Sequence, residues 1–270
     1  MDSETLDLTF AEGTVRLAYL HRAGTRPPLV CLHGFGSTKE DYTDLSMRPE
    51  FRDRSLIFWD APGCGASQVS TPDALSIPFL VKVALTACDA LNIDRFHMSG
   101  HSMGGLTALL LAHEHQDRVL SFMNIEGNIA PEDCFLSRQI VEHAADTPAG
   151  FAKGFIDRVR HRAEYGSGLY AAALPVKVRD TSFEPIFTSM VGLSDNAPLM
   201  EMFTGLPCPR VFIYGEQNRH LSDLGDLRAT GVEVIEIPHS GHFPMYSNPP
   251  ALWTAMADFL ERHDPTHDPR

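Results

Sequence analysis

Gly100-His101-Ser102-Met103-Gly104-Gly105 follows the apolar run Phe96-His97-Met98-Ser99 and precedes Leu106-Thr107-Ala108-Leu109-Leu110-Leu111-Ala112. The order reads as strand, tight turn, helix, with a serine at the apex flanked by small residues. An apex residue held in a sharp, strained turn needs neighbours without bulk, so Gly100 and Gly104 let the backbone close and a substrate approach. The pattern G-x-S-x-G is a nucleophile elbow, and its meaning depends on what lies elsewhere in the chain.

Two further segments supply that context. After the apolar run Leu29-Val30-Cys31-Leu32 comes His33-Gly34-Phe35-Gly36, a loop whose backbone N–H groups are free to face a developing oxyanion. Near the C-terminus, Val232-Glu233-Val234-Ile235-Glu236-Ile237 reads as a strand that runs into Pro238-His239-Ser240-Gly241-His242-Phe243-Pro244, a polar loop with two histidines. The chain order is oxyanion loop, serine, histidine. With the stretches HGFG, DAPGCGAS, GHSMGG and SGHFP, the chain resembles the α/β-hydrolase superfamily. That resemblance implies a doubly wound, mostly parallel eight-stranded sheet with a helical cap insertion.

Composition bounds the reading from the other side. A chain of 270 residues with 43% hydrophobic content buries a substantial core, and one α/β domain of this length accommodates an insertion. A formal net charge of −13 argues against nucleic acid, which is held by clustered Lys and Arg. Met1-Asp2-Ser3-Glu4 lacks the basic and apolar blocks of a signal peptide, and no run approaches the roughly 18 apolar residues of a membrane helix. The expectation is a cytoplasmic protein whose partner is a small-molecule ester, with no membrane span and no nucleic acid. Cys31, Cys64, Cys88, Cys134 and Cys208 are odd in number and scattered, which fits reduced core thiols.

Leu6 to Phe10 and Val15 to His21 alternate around Glu12-Gly13, predicting an antiparallel hairpin at a sheet edge. Leu29 to Leu32, Leu56 to Trp59, Phe96 to Ser99, Val119 to Ile125 and Val211 to Tyr214 are continuous apolar runs, as strands buried on both faces require. Helical patterns cover Ile77 to Leu91, Leu106 to His115 and Pro250 to His263, and such alternation makes a doubly wound sheet. The rhythm breaks from Asn128 to Gly205, where aromatic residues punctuate helical segments. The domain reading is therefore core over 1–127, helical cap over 128–205 and core again over 206–270. The tail from His263 to Pro269 reads as frayed.

The chemistry assigns roles. A serine hydroxyl needs a base near neutrality, and His242, in the setting that matches the family's histidine loop, is preferred to His239. The backbone N–H groups of Met103 and Phe35 are the expected oxyanion hole, and His33 braces that loop. Phe35, Met103, Phe243, Met245 and Phe135 are the expected apolar lining of a substrate pocket. The third member departs from the family pattern, which places an Asp in a Gly-x-x-Asp turn where this chain has Gly215-Glu216-Gln217-Asn218. An amide orients imidazole but does not offset its charge. Glu126 ends the strand before the cap, 24 positions after Ser102, as the acid does in the haloalkane dehalogenase branch, and it is the preferred acid. Asp223, Glu216 and Asn218 are the alternatives. Asp60 reads as a loop brace, and Arg158-Val159-Arg160-His161-Arg162 as a solvated helix face.

No metal-ligand spacing, P-loop or complete dinucleotide fingerprint is present, so no metal and no cofactor are expected. The resemblance and these residues imply a serine hydrolase acting on a carboxylic ester of a small, fairly apolar substrate. The same residues would serve a thioesterase or amidase, a carbon–carbon bond hydrolase or lyase, or a weakly catalytic small-ligand receptor.

Overall fold

The computed structural model describes residues 1–143 and 147–264. The chain opens with the hairpin β1 (Asp2–Phe10) and β2 (Gly13–Arg22), then β3 (Arg26–Leu32), β4 (Arg54–Trp59) and the two-residue β5 (Gln68–Val69). Helix α1 (Ile77–Ala90), β6 (Phe96–His101), α2 (Met103–Glu114) and β7 (Val119–Ile125) follow. Helices α3 (Gln139–Glu142), α4 (Pro148–Arg160), α5 (Ser167–Lys177), α6 (Phe183–Asn196) and α7 (Leu199–Thr204) occupy the next stretch. The chain then returns to the sheet with β8 (Arg210–Gly215), α8 (Asp223–Ala229), β9 (Glu233–Ile237), α9 (Pro244–Ser247) and α10 (Pro249–His263).

The strands join in one sheet in the order β1-β2-β4-β3-β6-β7-β8-β9, with β5 pairing β2. The first hairpin is antiparallel and β2 meets β4 antiparallel; from β4 to β9 every pairing is parallel. The parallel part matches the continuous apolar runs, because strands covered on both faces have no solvent side on which to alternate. Helix α2 packs against β3, β6 and β7, and its residues from Met103 to Ala112 are all buried. The sheet has nine strands rather than eight because β5 adds a two-residue pairing too short to leave a periodic signal. Helix α8, also absent from the sequence reading, is short, polar and buried only at Asp223, Leu224 and Leu227.

The reading of the tail needs correction where the structure describes it. Asp264 is not frayed: its carboxylate pairs with Arg26 and Arg54 and lies 2.8 Å from His97 Nε2. The rest of the tail expected to be frayed lies outside the described residues. Among the described residues no helix is long and apolar enough to cross a membrane.

Candidate active site

The elbow is built by close backbone approach. Ser102 has φ 49° and ψ −117°, a conformation that residues with side chains rarely adopt. A methyl on Gly100 would lie 2.3 Å from the Gly104 carbonyl oxygen, and one on Gly104 would lie 2.3 Å from that of Leu32. Any larger residue would therefore push the turn off β3. The turn is pinned by the sheet itself, because Ser102 N–H donates to the Ile125 carbonyl at the end of β7.

The same pairing sets the acid. Glu126 follows β7 directly, and its N–H donates to Ile213 on β8. Its own φ of 51° turns the chain out of the strand. The carboxylate is buried and reaches across the end of β8, accepting from Gly215 N–H and from Asn218 Nδ2, each at 2.7 Å. Burial pushes the Glu126 carboxyl up to about 8, against the pull of these two donors.

The histidine loop arrives from β9. His242 Nδ1 lies 3.2 Å from Glu126 Oε2, and its Nε2 lies 3.1 Å from Ser102 Oγ. With Glu126 as the carboxylate, which only accepts, Nδ1 carries the hydrogen and the Nε2 lone pair faces the serine hydroxyl. Burial holds the His242 imidazole down at about 4, so it is neutral near pH 7. The loop is held from beneath by His101, whose Nε2 donates to the His242 carbonyl at 2.7 Å.

Two N–H groups complete the geometry. Met103 is the first residue of α2, where a helix leaves its leading N–H groups unpaired. The HGFG loop abuts the elbow, since a methyl on Gly34 would lie 2.3 Å from His101 Nδ1 and 3.1 Å from Ser102 Cβ. Neither Met103 nor Phe35 spends its backbone N–H on another partner among the described residues. His33 holds the loop by accepting from Ala61 N–H at Nε2, which leaves Nδ1–H to donate to the Gly34 carbonyl. Asp60 accepts from Lys39 and from the Ala66 N–H, the bracing expected of it.

Apolar rings close around these groups. Phe135 and Phe243 stand edge-on to His242, each with ring centres at 4.9 Å. Phe35 meets Phe183 and Phe187 at 4.7 and 4.6 Å, and Tyr170 stacks on Phe243 at 4.2 Å. Met245 is buried beside them in the core.

Ser102, His242 and Glu126 thus come together, whereas the alternative acids do not reach the imidazole. Asn218 donates to Glu126, Glu216 lies 3.7 Å from His239, and the buried Asp223 carboxylate makes no contact with His242 among the described residues. In the basic cluster Arg160 and His161 are exposed as a solvated face would be, whereas Arg158 bonds Gln139, and Arg162 pairs with Glu164 and covers the Phe135 ring at 5.5 Å. His101 and Asn218 as supports of the histidine and the acid escaped the sequence. Only the Gly-x-x-Asn offset hinted at Asn218. The buried thiols of Cys31, Cys64 and Cys134 are pushed up, chiefly by burial, which removes them as nucleophiles.

A family model described as alpha/beta hydrolase fold matches residues 27–164, which span the oxyanion loop, the elbow and Glu126. The chain belongs to this family. It is 25% identical over 276 residues to a Xenopus laevis protein named monoacylglycerol lipase abhd6-B, covering 92% of this chain and 80% of that one. A 2-succinyl-6-hydroxy-2,4-cyclohexadiene-1-carboxylate synthase from Pectobacterium atrosepticum is 35% identical, over only 39% of this chain and 40% of its own. Among solved structures, a thermophilic esterase from Thermogutta terrifontis matches with a TM-score of 0.73 at 18% identity, covering 98% of this chain and all of that one. Structures at that identity establish the shared fold of this hydrolase family.

Proposed function

We propose that this hydrolase cleaves a carboxylic ester of a small, fairly apolar substrate through an acyl-enzyme on Ser102. The observation that carries the reading is the line of contacts from Ser102 Oγ to His242 to Glu126, at 3.1 and 3.2 Å, beside two unspent N–H groups. In this reading His242 Nε2 takes the hydroxyl proton as Oγ bonds to the ester carbon. The carbonyl π pair moves onto oxygen, where the Met103 and Phe35 N–H groups meet it. Collapse expels the alcohol oxygen, to which His242 returns the proton, and water repeats the sequence to release the acid. In this reading Glu126 works as the carboxylate, the form that fills as pH rises toward about 8, and offsets the charge of the imidazolium.

The substrate class rests on the lining. Phe35, Phe135 and Phe243 offer rings and no charge beside the catalytic groups. A serine at the elbow leaves no aspartate to form the ester intermediates of epoxide hydrolases and dehalogenases. In this reading the helices between 128 and 205 act as the cap that shapes the cavity, and the lipase name of the frog relative fits an ester bond.

The test is direct. The purified protein is expected to release p-nitrophenol from short-chain esters with a burst and to be labelled by a fluorophosphonate at Ser102. Ser102→Ala is expected to abolish labelling and to lower kcat by about 10⁶. A protein that is neither labelled nor turns over any ester would refute the reading.

A further inference from the structure

Helix α5 is apolar on two opposite sides. Its inner stripe, Ser167, Tyr170, Ala171 and Leu174, is buried and follows the i, i+3, i+4, i+7 spacing of a core-facing helix. Tyr170 rests on Phe243, and Tyr170 and Leu174 cover Gly36 of the oxyanion loop. The outer stripe, Leu169, Ala172, Ala173 and Val176, repeats that spacing toward solvent. Leu169 is 57% exposed and Val176 82%, with Tyr165 at 45% just before the helix. Three of the six large exposed hydrophobic side chains among the described residues fall in this one segment.

A helix facing water ordinarily carries charge on its outer side. From Ser167 to Val176 α5 carries none, and Lys177 turns its ammonium to Asp41. The stretch of chain that contains the helix is basic instead. From Pro148 to Arg179 the chain has six Lys and Arg against two Asp and Glu, in a protein of net charge −13. Lys153, Arg160 and Arg179 among them are exposed, whereas Arg162 and Lys177 are paired with Glu164 and Asp41. An uncharged apolar stripe within a basic stretch of an otherwise acidic chain complements a surface that is apolar beneath and anionic on top.

We propose that the outer face of α5 docks on an anionic lipid surface, with Leu169 and Val176 entering the headgroup boundary and the neighbouring cations meeting lipid phosphates. The same helix covers Phe243 and the oxyanion loop from its other side, so docking takes hold of the segment that roofs the site. Gly166, at φ 83°, gives the chain its turn into the helix. The proposal goes beyond the ester reading, because adsorption requires no turnover.

Flotation with vesicles tests it. The full chain is expected to float with phosphatidylcholine vesicles containing phosphatidylglycerol, at least about tenfold better than with phosphatidylcholine alone, and to be released by high salt. Leu169→Asp with Val176→Asp is expected to lose at least about tenfold of that binding. Melting temperature and turnover of a water-soluble ester should not change in that variant. Absence of flotation, equal flotation with neutral vesicles, or undiminished flotation of the double variant would each overturn the proposal. So would a dimer of the wild type that the double variant splits, since a second copy would then cover the face. Failure of the ester assay alone would leave the flotation result to be read unchanged.

Discussion

At Ser102 and Glu126 the backbone takes positive φ, a conformation that costs about 1–3 kcal/mol at each residue and persists only where neighbours over-determine it. Sheet hydrogen bonds from Ser102 to Ile125 and from Glu126 to Ile213 do this, so the two proposed catalytic side chains are aimed by the framework rather than by their own preferences. Glu126→Gln is expected to keep the fold while lowering kcat by about 10³–10⁴, measured with a p-nitrophenyl ester at matched circular dichroism. Asp223→Asn should leave kcat near wild type, and the reverse ranking would move the acid elsewhere. The pH profile gives a second handle. Burial pushes the Glu126 carboxyl up to about 8 and His242 down to about 4, so as pH rises the imidazole becomes neutral before the carboxylate fills. Activity that needs the carboxylate should rise as pH climbs toward about 8. Asn218→Asp replaces an amide donor to Glu126 by a second carboxyl; like charges raise a carboxyl pKa, so the acidic limb of kcat/KM should move to higher pH. A limb that moves to lower pH would show that the two residues do not interact as described.

Among the elements, the sheet and its loops were legible because each strand's burial is written into its own residues. The runs at Leu29–Leu32 and Phe96–Ser99 needed no partner to be recognised, and the loops that follow them meet at the proposed site because a parallel sheet brings its strand ends to one edge. What the sequence withheld is how elements clasp one another. Lys177, at the end of α5, donates to both oxygens of Asp41 at 2.7 Å and to Tyr246 Oη at 3.1 Å. Tyr246 Oη in turn donates to Asp41. Three segments separated by 136 and 69 positions meet at one point, and no local pattern announces such a meeting. Asp41 and Lys177 are largely buried, so Lys177→Met strands a carboxylate at a cost of about 3 kcal/mol. The expected result is faster amide hydrogen exchange in α5 with unchanged protection of β6 and β7, read by mass spectrometry. Equal acceleration throughout would mean that the clasp holds the whole fold and not the helix.

Across the whole molecule, the end opposite the reactive loops is tied by one carboxylate. Asp264 follows α10 and meets Arg26 at the start of β3, Arg54 at the start of β4 and His97 near the start of β6, three strands adjacent in the sheet. Arg26 lies 238 positions away in sequence, which is why a polar tail rich in Pro and His reads as loose until the fold closes. Burial pushes the Asp264 carboxyl up, but the hydrogen bonds and charges of His97 and Arg54 outweigh it and hold it well below the usual carboxylate range. A depressed carboxyl contributes stability above its ordinary value and loses it as pH falls. Asp264→Asn leaves the buried Arg54 guanidinium without its counter-charge, at a cost of about 3 kcal/mol near pH 7. For a chain of this size that lowers Tm by roughly 6–12 °C. The gap between wild type and variant should narrow below about pH 4, where the unfolded chain's carboxyl takes up its proton. At 25 °C kcat/KM should hold, because Ser102, Glu126 and His242 lie beyond the opposite ends of the strands. A gap in Tm that persists unchanged into acid, or a loss of turnover matching the loss of Tm, would show that Asp264 acts other than as the ionised tie between the last helix and the sheet.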